Sequence, residues 1–479
     1  MQRSNYITNS SLKLSVFTEE QKDEIHSAVL EVLADVGIEV HSEKALEVLK
    51  KGGAFVSGNR VKIPPAMVER AIRSAPSRVV LSNRLGERKL FLENNNFYYG
   101  AGPTVVYTLD PFTGEHRESR ISDTELASRV MDALENIDYQ MDFGSSSDVT
   151  HSIMDVFAFK AMIENSIKPI VHWAYNVKNL KAMVDMGIAV RGSLQALQEQ
   201  PFFAIYTEPV TPLVHEFDAL DISMAMAEYN LPSIYTPAPQ SGVTAPATLA
   251  GTIVIGCCES LSGLVVNQLV REGAPFIMGG VITIMDMRST QITYGSPEFM
   301  IMAAGLSEMA HYYKIPMFST AGCSDSKCVD QQLGAEIANN LLMAALSGGN
   351  LIHDSGYIES GMCTSLESLV ICDELIGKVK RIVRGIEVSD RTLALDVIRA
   401  VGPGGHFMAE EHTADNFKDE WWFPELYNRS RYGTWVSEGS PTMGDAALKK
   451  LRCIVDNHRP KPVEPDVQAR LDDILKSIE

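Results

Sequence analysis

The chain has 479 residues, 45% of them hydrophobic, which is enough to bury a sizeable core. Its 61 acidic residues against 42 basic ones leave a net charge of −19. That surplus repels a phosphate backbone, and no Lys/Arg stripe reverses it, so nucleic acid is excluded as an expected partner.

Met1 to Leu12 is polar and lacks an apolar core segment, so no secretory signal is expected. Thr18-Glu19-Glu20-Gln21 is a capping box, and Ile25, Val29, Val32, Leu33 and Val36 follow at helical spacing until Gly37. Ser42 to Lys51 predicts a second helix, and Phe55 to Ile63, turning at Ser57-Gly58-Asn59, a small hairpin. Residues 1–95 are therefore expected to form a mostly helical cap. From there short β-rich runs alternate with helical stretches. The runs are Phe97–Gly102, Tyr139–Ser145, Pro169–Tyr175, Phe202–Glu208, Ser233–Pro239, Pro275–Thr283, Pro316–Gly322 and Leu351–Tyr357. Helices are predicted between them, among others at Ile153–Asn165, Glu216–Asn230, Pro297–Tyr313 and Gln331–Ser347. Alternation of this kind predicts a parallel sheet, and eight units predict an α/β fold of the (β/α)8 TIM-barrel class over residues 96–385. A doubly wound open sheet is the rival, but it gives no reason for eight. Residues 386–479 are expected to be a helical extension, with aromatics from Trp421 to Trp435 packed on the barrel or on a second subunit; a homo-oligomer is expected.

The longest apolar stretch, Ala247 to Val270, carries Glu259, Asn267 and Gln268 and reads as a buried helix, so no membrane partner is expected. Seven cysteines without a regular framework suit reduced thiols and a cytoplasmic location. No Walker A loop, His-Glu-x-x-His or Cys-x-x-Cys pair occurs. Gly402-Pro403-Gly404-Gly405 follows a helical pattern and reads as a turn. Cys323 and Cys328 lack a third and fourth partner in sequence, and no metal site is expected.

In a barrel, function gathers at the C-terminal strand ends. Those ends hold Tyr98, Tyr99, His172, Tyr175, Tyr206, Glu208, Tyr235, Arg288, Cys323 to Lys327, His353, Asp354, Tyr357 and Glu359. Aromatic faces with a few carboxylates suit a small cationic ligand. The plainer reading is that each tyrosine alone is an amphipathic rim residue.

Five segments carry a resemblance: Pro246-Ala-Thr-Leu-Ala-Gly-Thr252, Ile284-Met-Asp-Met-Arg288, Gly295-Ser-Pro-Glu-Phe299, Ala321-Gly-Cys-Ser-Asp-Ser-Lys327 and His353-Asp-Ser-Gly-Tyr-Ile-Glu-Ser-Gly-Met362. Together they resemble the trimethylamine methyltransferase superfamily over nearly the whole chain. The resemblance implies a (β/α)8 barrel that passes a methyl group from an amine to the cob(I)alamin of a separate corrinoid protein. This chain lacks an Asp-x-His-x-x-Gly cobalamin motif, so it is expected to bind no cofactor itself. Where archaeal trimethylamine enzymes carry pyrrolysine, Cys323 stands here. That departure implies a quaternary amine, glycine betaine first, with proline betaine, carnitine or γ-butyrobetaine as alternatives. Tyr99, Tyr206, Tyr357 and Glu208 are the candidates for the ammonium head, and Arg288, His353 or Lys327 for a carboxylate. Cys323 is a candidate methyl-relaying nucleophile, with a packing role favoured because no base lies beside it in sequence. Two other classes remain: a lyase using Lys327 as a Schiff base, and a non-catalytic betaine-binding protein.

Overall fold

The computed structural model describes residues 12–478; the polar stretch from Met1 lies almost wholly outside the described residues. The first helix, Glu19–Glu31, starts at the Thr18–Gln21 capping box and runs into a wide turn, Val32–Val36. Gly37 then turns the chain at φ 74°, where a Cβ would meet the Val61 carbonyl oxygen at 2.3 Å, so only glycine fits. Helix Glu43–Gly52 starts at Ser42, and the hairpin Phe55–Ser57 with Arg60–Lys62 follows.

Seven parallel strands form the central sheet: β1 Tyr98–Ala101, β2 Ile170–His172, β3 Phe203–Thr207, β4 Ser233–Tyr235, β5 Phe276–Gly279, β6 Met317–Thr320 and β7 Leu351–Ser355. Their order is β1-β7-β6-β5-β4-β3-β2. The expected strand Tyr139–Ser145 does not form as such. It contributes two parallel bridges, Gly100 with Tyr139 and Gln140 with Ile170, one to each edge strand of the sheet. Phe143 at φ 63° then turns the chain, and the Asp142 side chain accepts a bond from the Thr104 N–H instead of continuing a ladder.

Helices α1 Ile121–Ala133, α2 Met154–Asn165, α3 Val177–Arg191, α4 Phe217–Tyr229, α5 Leu249–Val270, α6 Pro297–Tyr312, α7 Gln331–Ser347 and α8 Leu366–Arg384 connect or follow the strands. α5 is long and apolar enough to cross a membrane, yet most of it is buried inside the protein. It packs between the sheet and the cap, where Val29, Leu33, Leu49 and Val68 join Leu261, Leu264 and Val265 in one core. A helix covered on both sides reads as apolar all round.

A second hairpin, Val79–Ser82 with Arg88–Leu92, carries no strong sequence signal. Its Val79, Leu81, Leu90 and Leu92 meet Val171, Ala204, Ile234, Ile277, Phe318 and Leu351 from the strands. These residues plug the N-terminal end of the sheet and leave the C-terminal end open. There, strands Tyr107–Leu109 and His116–Glu118 join Tyr357–Ile358 and Cys363–Ser365 in a four-stranded roof. Helices Met443–Asn457 and Pro465–Ile478 return to the helices around the sheet, burying Ala447, Leu451, Leu471 and Leu475. Between them and α8, Ile386, Val388, Met408, Trp421, Phe423 and Tyr432 stay exposed.

Candidate active site

Alternation decides which strand side chains reach the interior. In β3, Ala204 and Tyr206 join the inner core while Phe203 and Ile205 pack against the helices. Tyr206 stacks on Phe318 of β6 at 6.2 Å, and Phe318 stacks on His353 of β7 at 4.0 Å. These three rings form the chamber floor. His353 has both nitrogens engaged: Nε2 lies 3.0 Å from Thr320 Oγ1 and Nδ1 lies 2.7 Å from Asp354 Oδ1. A histidine so locked has no free N–H for a substrate carboxylate.

Asp354 sits at φ 81°, a costly conformation for a residue with a Cβ. Gly102 makes room for it. A Cβ there would meet Asp354 Oδ1 at 2.5 Å and the Tyr357 ring at 2.3 Å. The Tyr357 hydroxyl donates to the Pro103 carbonyl, which leaves its ring as a wall 6.1 Å from Phe143. Past β2, Trp173 points inward and donates its indole N–H to Asp142 Oδ2 at 2.8 Å. Burial pushes the Asp142 carboxyl up to about 6, against the opposing bonds from Trp173 and Thr104.

Glu208 is the first residue beyond β3. Thr104, Trp173, Tyr206, Glu208, Asp218 and Ile222 are among the residues that line a cavity of about 280 Å³. Among the described residues no hydrogen bond or ion pair reaches the Glu208 carboxylate. Its side chain is exposed at the cavity, with protein walls on its inner side. Desolvation by these walls raises the carboxyl to about 7; His353 opposes the rise and Asp354 adds to it. The solvent access argues for the smaller side of the shift. The Tyr294 phenol is also pushed up, first by burial and then by Asp354, Cys323, Glu208 and Asp325. Glu208 and Asp218 thus share one cavity with Trp173 and Tyr206, and Asp142 holds the Trp173 indole from behind.

The structure separates the other sequence candidates from this space. Tyr99 faces outward: it is fully buried between sheet and helices, and its hydroxyl donates to the Leu341 carbonyl at 2.7 Å. The inner neighbour is Tyr98, so the candidate was one residue out of phase. Arg288 lies exposed on the turn joining Thr283–Asp286 to Gln291–Ile292, where its N–H donates to Asp286. Lys327 is exposed and donates to the Asp325 carbonyl at 2.7 Å. It lacks the apolar pocket that a Schiff-base lysine requires. Cys323 packs with Leu333, Ile337 and Cys372, and burial drives its thiol well above the usual range, against a thiolate nucleophile. Trp173, Asp142 and Tyr294 were not singled out from sequence. Strand parity offered a signal for Trp173, two residues after inward-facing Val171. Asp142 and Tyr294 sit on irregular backbone and offered none.

The fold and site define an α/β protein plugged at one end, with an acidic, aromatic cavity at the other. The family model described as trimethylamine methyltransferase (MTTB) matches residues 1–477, and the chain belongs to this family. A trimethylamine methyltransferase of Desulfitobacterium hafniense (strain DSM 10664 / DCB-2) is 32% identical over 471 residues, covering 97% of this chain and 94% of its own. A glycine betaine methyltransferase of Desulfitobacterium hafniense (strain Y51) is 31% identical over 463 residues, covering 96% of each. In structure, the monomethylamine methyltransferase of Methanosarcina barkeri superposes with a TM-score of 0.49 at 13% identity, over 94% of this chain and 90% of its own.

Proposed function

We propose that this methyltransferase demethylates a quaternary amine and passes the methyl group to the cob(I)alamin of a separate corrinoid protein. Glycine betaine leaves as dimethylglycine in the first form of this reading; proline betaine, carnitine and γ-butyrobetaine are its alternatives. The observation that carries it is the unpartnered Glu208 carboxylate in an aromatic cavity, a counter-ion without a cation. Ring faces of Trp173 and Tyr206 supply the attraction for an alkylammonium that cannot donate a hydrogen bond.

The chemistry asks little of the side chains. The bond from carbon to the positively charged nitrogen breaks with its electron pair going to nitrogen, and a neutral tertiary amine leaves without a proton. Trimethylamine itself would expel an amide anion unless activated, and Cys323 stands where the resemblance implies pyrrolysine. Cob(I)alamin supplies the nucleophile. The chain's share is to bind, desolvate and aim the methyl group. A cavity of about 280 Å³ suits a small amine and is far too small for a corrin ring, which fits a cofactor carried by a partner.

The two bridges of Tyr139 and Gln140 support an eighth stave that closes a (β/α)8 barrel over residues 96–385, between a cap (1–95) and an extension (386–479). The extension's exposed apolar residues, with flanks anchored on both sides, support pairing with a second copy of the chain. Seven free cysteines fit a reducing, cytoplasmic setting. The test is methylation of cob(I)alamin on the cognate corrinoid protein across betaines, choline and methylamines. Quaternary amines are expected to react and trimethylamine to stay inert; equal rates for trimethylamine would overturn the reading. A binding protein without activity would take up betaines and methylate nothing.

A further inference from the structure

We infer that the roof over the chamber carries a zinc-class metal site built from His116, Glu359 and Cys363. The candidate ligand atoms of these three residues all lie within 4.8 Å of one another. His116 Nε2 and Glu359 Oε2 are 3.0 Å apart. Four-coordinate zinc needs nitrogen, oxygen and sulfur about 2.0–2.3 Å from the metal, which puts the ligand atoms ~3–4 Å from each other. Side-chain rotation of His116 and Glu359, both at the solvent edge, closes the remaining distance.

The backbone holds the three donors together. His116 pairs with Leu109 in the outer strand of the roof, and Tyr107, two residues from Leu109, pairs in parallel with Cys363. The Tyr107 ring lies 4.7 Å from the His116 ring and fixes its place. Glu359 stands at φ 53° and Ser360 at φ 55°, a left-handed pair held by the Glu359 N–H on the Ser326 carbonyl and the Ser360 N–H on the Ser324 carbonyl. That turn brings the Glu359 carboxylate back over Cys363.

Cys363 is buried with no disulfide partner. On binding a divalent ion the S–H bond breaks, the proton goes to solvent, and sulfur coordinates the metal. Three protein donors leave a fourth position on the solvent side, for water or an exchangeable ligand. The site would tie residues 107–118 to residues 357–365, the segment that carries the chamber wall Tyr357. Sequence could not show it, because His116 is 243 residues from Glu359.

The experiment titrates the full-length, metal-free protein with Co2+ and then with Zn2+. One equivalent of Co2+ should bind with a thiolate-to-cobalt charge-transfer band that Zn2+ abolishes. The band should vanish in Cys363→Ser and persist in Cys453→Ser, the exposed control. His116→Ala, a surface change that leaves the core alone, should weaken binding at least ~10-fold with an unchanged thermal midpoint of the metal-free protein. Absence of the band in wild type, or its survival in Cys363→Ser, would overturn the site. Its failure would leave the quaternary-amine reading standing, because that rests on the chamber and not on the roof.

Discussion

Glu208→Gln removes a cavity carboxylate without a protein partner among the described residues while keeping its size; Asp218, the second carboxylate lining the cavity, stays in place. A cation held 4 Å from this carboxylate gains about 4 kcal/mol at an effective dielectric of ~20. The methyl groups hold the nitrogen farther off, and the cavity admits water, so about half of that, ~2 kcal/mol, is expected to remain. The loss corresponds to a roughly 30-fold weaker Kd. Calorimetry with tetramethylammonium, which reports binding without turnover, measures it. A second readout is pH. With the free carboxyl raised above its usual value, and by less than full burial would give, wild-type affinity should fall as pH drops from 8 to 5. The variant should show no such slope. Equal affinities for the two proteins at pH 8, or a wild type indifferent to pH, would refute the assignment of Glu208 as the counter-ion.

Cys323→Ala should retain methyl transfer within a few-fold and cost about 1–2 kcal/mol in urea unfolding, since the buried thiol packs and does not react. Tyr206→Ala should weaken tetramethylammonium binding by ~0.5–2 kcal/mol, whereas Tyr99→Phe should leave affinity unchanged and lower stability by about 1 kcal/mol through the lost bond to Leu341. His353→Ala breaks the clamp to Thr320 and Asp354 and should impair glycine betaine and choline equally; selective loss of glycine betaine would restore His353 as a carboxylate contact. Asp142 and Asp155, near 6, and Glu208 and Glu259, near 7, all lie above their unfolded values. These carboxyls make the folded state bind more protons between about pH 4 and 7 and lower stability as pH rises. Buried neutral His172, near 4, and His215, near 3, oppose them below about pH 6.5, so the thermal midpoint should fall most clearly between pH 6.5 and pH 8.

Much of the scaffold was legible because its signals are local. The Thr18–Gln21 box, Ser42 and the run Gln331–Ser347 are set by capping and periodicity, and the structure places helices there. The hairpin Val79–Leu92 was not legible, because its apolar side faces a ring of strands that only the tertiary fold assembles. The stave Tyr139–Ser145 was over-read, since Asp142 and Phe143 are pulled into site geometry that overrides extended propensity. Within the site, Tyr206, Glu208, His353 and Tyr357 fall at the chamber because their strand ends were correctly located. Tyr99 misses by one residue, and a slip of one in a period-two element sends the side chain to the opposite face.

The distribution of charge in the chamber bears on which betaine it suits. Glu208 and Asp218 line the space, with Asp142 behind the Trp173 indole, and the one group nearby able to become cationic, His353, is committed on both nitrogens. A zwitterion seated with its ammonium near Glu208 gains from these carboxyls, but its own carboxylate is repelled by the same walls. Coulomb repulsion at 6 Å and a dielectric of ~20 costs about 3 kcal/mol for each unscreened carboxylate pair. In glycine betaine one methylene separates the two charges, so the carboxylate cannot leave the chamber while the head stays in it. A longer arm, as in γ-butyrobetaine or carnitine, lets the carboxylate reach away from these walls toward solvent. Choline meets no such conflict. On the proposed function, cations whose negative end is distant or absent therefore suit the chamber better than glycine betaine.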